Sequence, residues 1–145
     1  MPLTLATVLL IALGGALGTL ARFFVGLLAA PISQSLPWGT IGINVAGSFV
    51  IGLVGTLTFG GGRYPLSEPV RLMIMVGFCG GFTTFSSFSL QTLDLLRAGA
   101  AGRAAVNVAL SVALCLAAVA AGSALGHRLN PQATAVAGIA MEEEA

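Results

Sequence analysis

Apolar residues fill this chain in four long blocks, and the positions between the blocks are mostly turn formers. The blocks are approximately Leu3–Ala30, Trp38–Gly60, Val70–Leu96 and Ala104–Gly126. A hydrocarbon core about 30 Å thick is crossed by about 20 helical residues, so each block is long enough to span it. Pro31–Pro37, Gly61–Pro69 and Ala98–Arg103 supply the Pro, Gly, Ser and Arg expected of turns at a membrane surface. The pattern predicts an all-α membrane protein with four transmembrane helices, forming a single domain over residues 1–128. The tail from 129 to 145 is too short and mixed to span, closes on Glu142, Glu143 and Glu144, and is expected to be disordered.

The third block departs from the pattern. Gly77 to Phe88 reads GFCGGFTTFSSF, with three glycines, a cysteine and four hydroxyl residues set among four phenylalanines. Adjacent Gly80 and Gly81 ahead of Thr83 and Thr84 weaken a helix, since Gly costs about 1 kcal/mol relative to Ala in a helix interior. The expectation is a third helix broken at membrane depth, where protein or a water-filled cavity must satisfy the freed backbone.

Composition sharpens the class. Hydrophobic residues make up 57% of the 145 and charged ones 8%, against about 25% charged in a soluble domain. Lys is absent, and six Arg against five acidic residues leave a net charge of +1, giving no electrostatic case for a nucleic-acid partner. The N-terminal block lacks the charged start of a signal peptide and is expected to be retained. Four spans put both termini and the second loop on one side. Arg63, Arg71 and Arg128 then oppose Arg22, Arg97 and Arg103, three against three. The positive-inside rule therefore sets no direction, and the chain could insert both ways and pair antiparallel with itself; otherwise some of these arginines sit at functional depth and do not count.

Polar residues inside the blocks are the candidate chemistry. Gly14, Gly18 and Arg22 lie at i, i+4, i+8, and Gly77 and Gly81 repeat the spacing that lets membrane helices approach closely. Arg22 either anchors its helix by reaching the interface or guards the mouth of an anion path; being permanently charged, it cannot carry protons. Thr40, Asn44 and Ser48 form a polar line on the second block, as Asn107, Ser111 and Cys115 do on the fourth. Two such lines act as interhelical glue or line one narrow path. The amide donors of Asn44 need a partner, water or a permeating species, because unpaired donors in hydrocarbon cost several kcal/mol.

Phe82, Phe85 and Phe88 recur every three residues with Thr and Ser between them. Core packing is the ordinary meaning of such a stripe. The competing one is that electropositive ring edges, with hydroxyl and amide donors, replace the water of a passing anion, and a small, strongly basic anion such as fluoride gains most. No Asp, Glu, Lys or His falls at the centre of a block: Glu68, Asp94 and Arg97 lie near the ends of the third, and His127 stands alone at the end of the fourth. HExxH, GxSxG and metal-spaced His/Cys clusters are absent, and Cys79 and Cys115 read as structural thiols, so the sequence does not predict an enzyme. Three classes stay in play: an anion channel, a small dual-topology proton-coupled exporter of cationic or guanidinium compounds, and a non-transporting assembly subunit. The second needs an embedded carboxylate that is not visible here.

These segments resemble one family. GFCGGFTTFSSF (Gly77–Phe88) is similar to the signature of the Fluc, or CrcB, fluoride channels, and GGALGTLARF (Gly14–Phe23) and GTIGINVAGSF (Gly39–Phe49) to its first- and second-helix motifs. The resemblance covers all four blocks in order. It implies a multi-pass protein of the bacterial inner membrane, embedded in lipid as an antiparallel dual-topology homodimer, exporting fluoride passively through two pores. Carried over by position, it makes Phe85 and Phe88 the pore phenylalanines and Asn44 a pore-facing donor. Thr40, Ser111 and Asn107 would belong to a polar track and Arg22 to the vestibule. The backbone carbonyls of Gly80 and Thr83 from both subunits would hold one structural Na⁺. Cys115 departs from this pattern, standing where a hydroxyl is expected.

Overall fold

The computed structural model describes residues 4–58 and 64–131. Among them the chain is helical, with four stretches long and apolar enough to cross a membrane, Leu5–Ile32, Trp38–Leu57, Glu68–Arg97 and Ala101–Leu129. Each overlaps one predicted block. The third and fourth begin two and three residues earlier than the hydropathy suggests and run on past it. Gly60, Arg63 and residues 132–145 lie outside the described residues, with most of the expected tail; Leu129 still belongs to the last helix and Asn130 is buried.

Helix α1 (Leu5–Ala29) starts at Thr4, whose Oγ1 accepts from the Thr7 backbone N–H at 3.2 Å. It closes in a 3₁₀ turn, Ala30–Ile32, and the chain turns into α2 (Trp38–Leu57). Ser33 joins the two ends: its hydroxyl donates to the Ala29 carbonyl at 2.8 Å and accepts from the Gly39 N–H at 3.0 Å, satisfying one terminal group of each helix.

The third span is composite. It opens as α3 (Glu68–Leu72), widens into a π-helical turn over Met73–Cys79, and returns to α-helix for Gly80–Phe82 (α4). Thr83 and Thr84 are extended, with ψ of 159° and 108°, and α5 (Phe85–Arg97) follows. Helix α5 is closed just beyond its end by Gly99, where φ is +71°, with Ala100 N–H bonded to the Leu95 carbonyl at 2.9 Å; a side chain would strain that backbone. Helix α6 (Ala101–Leu129) completes the subunit.

Two helix pairs make the body of the fold, α2 on α6 and α1 on the π turn and α4. Both are contacts of glycine with backbone. A Cβ at Gly18 would collide with the Phe78 carbonyl and one at Gly77 would lie 2.6 Å from that of Ile11; Gly52 and Gly122 stand likewise against the carbonyls of Val119 and Phe49. Lipid tails are as apolar as leucine, so close approach rather than hydrophobic burial must hold these pairs. Large apolar side chains accordingly point outward, Leu5, Leu28 and Ile32 among them. Hydroxyl and amide bonds assist: Thr56 pairs with Ser123 at 2.9 Å, and Asn130 Nδ2 donates to the Leu57 carbonyl at 3.0 Å.

A candidate ion pathway

The interruption at Thr83 and Thr84 organises the site. In a continuous helix the Thr84 N–H would bond to the Gly80 carbonyl. Here it donates to Asn44 Oδ1 at 2.7 Å, and Asn44 Nδ2 donates to the Thr84 carbonyl at 3.1 Å. One side-chain amide from α2 thus completes both backbone groups of Thr84, as a neighbouring strand would. Thr83 turns inward, its N–H and Oγ1 both donating to the Cys79 carbonyl at 2.9 Å. Thr84 also caps α5, its Oγ1 accepting from the Ser87 N–H at 3.1 Å. Gly47 makes room for this: a Cβ there would strike Thr83 Cγ2.

Beside the interruption lies a cleft of about 400 Å³, lined by Asn44, Gly80, Thr83, Phe85, Phe88 and Ser111 among others. Six of the nine residues that the family resemblance names therefore line one cleft. Phe85 and Phe88 sit together with ring centroids 5.3 Å apart and planes tilted by 44°. Phe85 is 79% exposed, a large fraction for an aromatic ring in the middle of a span. Ser111 is buried and its Oγ has no partner, leaving a hydroxyl proton uncommitted. Cys115 and Cys79 line the same cleft, and both are free thiols. No carboxylate lines it among the described residues.

The other three residues separate from it. Thr40 lines a second, larger cleft of about 620 Å³ at the α1–α2 turn, with Gln91, Asp94 and Arg103. The expected line Thr40, Asn44, Ser48 is therefore divided between two clefts. Arg22 lines neither; its Nε is buried without a partner. Asn107 does not line the cleft; it is fully buried, donating through Nδ2 to Thr92 Oγ1 at 2.9 Å.

The Gly80 and Thr83 carbonyls can be tested against a small cation. Because the Thr84 N–H goes to Asn44, the carbonyl of Gly80 loses its helical donor. Gly80 itself is exposed, with no atom within 4 Å of where a Cβ would stand. An uncommitted backbone oxygen beside a residue that shields nothing suits a hard cation. The Gly80 carbonyl meets that requirement.

Sequence reasoning missed Thr84 as the pivot and missed Thr92. For Thr84 a signal existed, a hydroxyl residue directly ahead of the run that begins at Phe85, the position that caps many helix starts.

Residues 9–123 match the family described as CrcB-like protein, Camphor Resistance (CrcB). A protein of Methylobacterium radiotolerans named fluoride-specific ion channel FluC is 58% identical over 142 residues, covering 98% of this chain and 99% of its own. One of the same name from Gluconobacter oxydans is 58% identical over 144 residues, covering 99% and 100%. One from Methylocella silvestris is 55% identical over 100 residues, 68% of this chain and 76% of its own. Likeness at this level, over every span and over the segments that build the cleft, means that the chain belongs to the CrcB family.

Proposed function

We propose that this chain forms a fluoride-selective channel of the bacterial inner membrane, through which fluoride leaves the cytoplasm passively. The observation that carries the reading is the near full-length identity to relatives named as fluoride-specific channels. The cleft supplies a chemical reason. Fluoride must exchange water for other donors, and the Ser111 hydroxyl and the second N–H of Asn44 offer them, with the Phe85 and Phe88 ring edges completing the wall. A passive path suffices, because fluoride enters as its neutral acid, ionises inside and is driven out by the negative-inside potential. Thr40 and Arg22 would serve the approaches. A proton-coupled exporter is not favoured, since no carboxylate among the described residues lines the cleft to carry the proton.

The working unit would be an antiparallel, dual-topology homodimer. Two observations support it: the three-against-three arginine tally, and the exposure of the cleft wall, where Phe85 and Gly80 face outward. A second copy across a two-fold axis would cover that wall and bring two more carbonyls to those of Gly80 and Thr83. A Na⁺ bound there would supply a fixed positive charge that joins the two copies. Gly80 contributes by lacking a side chain, and Asn44 by keeping the Thr84 N–H away from the Gly80 oxygen.

Fluoride efflux from liposomes holding the purified protein is the direct test. The expected result is rapid fluoride release with little chloride release. Equal fluxes of the two anions, or none, would overturn the proposal.

A further inference from the structure

Helix α5 carries both phenylalanines of the cleft, yet none of its residues is buried within the subunit. Within the subunit, packing therefore fixes its position only in part, and polar bonds complete it. At its start, Asn44 holds Thr84. In its middle, a second asparagine does the equivalent: Asn107 Nδ2 donates to Thr92 Oγ1 at 2.9 Å, and Thr92 Oγ1 donates to the Phe88 carbonyl at 2.7 Å. A hydroxyl has one proton, so accepting from Asn107 leaves that proton directed at Phe88. Asn107 is 0% exposed and sits on α6, which places the anchor on the most firmly packed part of the subunit, the α2–α6 pair.

We infer that Asn107 and Thr92 are positioning residues for Phe88, a relay of two hydrogen bonds that ties the backbone under the ring to α6. Asn107 thus acts through the relay and not as part of the polar track. A side chain accepting and donating at once on a helix's inner edge also bends the turn it spans, because hydroxyl bonds to the carbonyl four residues back compete with the helical ladder. The aim of the Phe88 ring follows the turn that these two bonds hold. The inference rests on the fluoride-channel reading for its functional consequence but not for its structural content.

The test separates the two. Fluorophenylalanine is placed at position 88, or at Phe49 on α2 as a control, and its fluorine resonance is recorded in detergent-solubilised protein alongside fluoride efflux from liposomes. Thr92→Val keeps the shape and removes the hydroxyl; Thr92→Ser restores it. The expected result is that Thr92→Val and Asn107→Leu shift or broaden the resonance at 88 and leave that at 49 unchanged, while Thr92→Ser keeps the wild-type spectrum. Fluoride efflux should fall about tenfold or more in Thr92→Val, the scale on which small misplacements act, and recover in Thr92→Ser. An unchanged resonance at 88 in folded Thr92→Val overturns the inference whatever the protein conducts. Equal disturbance at 88 and 49 also overturns it, because the bonds would then serve general packing. Absence of fluoride efflux from the wild type, with the spectral effect intact, sinks the channel reading and leaves the relay standing.

Discussion

Asn44 shows how much a single amide does at membrane depth. It completes both backbone groups of Thr84, and with no water in hydrocarbon to replace it, each group left unpaired would cost about 1–3 kcal/mol. Asn44→Leu should therefore lower the thermal unfolding midpoint of the solubilised protein by several degrees and remove fluoride flux, while Asn44→Asp, which keeps the acceptor for the Thr84 N–H, should lose less stability. A leucine variant that melts with the wild type would mean that Thr84 finds other partners. The sequence marked Asn44 as needing a partner but could not name it, because the partner is a backbone unit forty residues away. Asn107 was harder still. An asparagine and a serine four residues apart look alike on a helix, yet Ser111 lines the cleft and Asn107 is fully buried and does not.

At the scale of elements, the four spans were legible because bilayer thickness fixes the length of an apolar run, leaving only the ends to local chemistry. The glycine spacing in α1 and the third span likewise marked real contacts, as the collisions of a Cβ at Gly18 or Gly77 with neighbouring carbonyls make plain. The α2–α6 contact through Gly52 and Gly122 was not picked out, since many glycines in this chain meet nothing and spacing alone does not separate them. Gly122→Val should weaken the subunit by about 1–3 kcal/mol, the usual scale of overpacking, seen as a lower midpoint in a denaturing-detergent titration. Gly102→Ala, with open space around it, should behave as wild type. Equal effects at the two positions would mean that helix propensity, not contact, decides.

For the whole molecule, charge is the informative quantity. Six arginines without a lysine divide three against three along the sequence; if that balance governs insertion, the termini should be found on both faces of the membrane in comparable amounts. Tags at both termini, labelled from each side in turn, will measure this; labelling from one side alone would rule out a dual-topology dimer. The π-helical turn at Met73–Cys79 had no sequence signal, because a run apolar on every side has no periodicity from which a wider turn could be told. Its consequence reaches across the molecule. One residue of α-helix rotates the chain by about 100°. The extra residue in the wide turn therefore sets the rotational phase between the two halves of the third span, as a spacer ring sets the timing of two gears. A substitution within Met73–Cys79 alters one tooth. Loss of one residue there would turn Gly80, the extended pair and both phenylalanines to a different bearing, so a change in length within this turn should disturb the whole cleft.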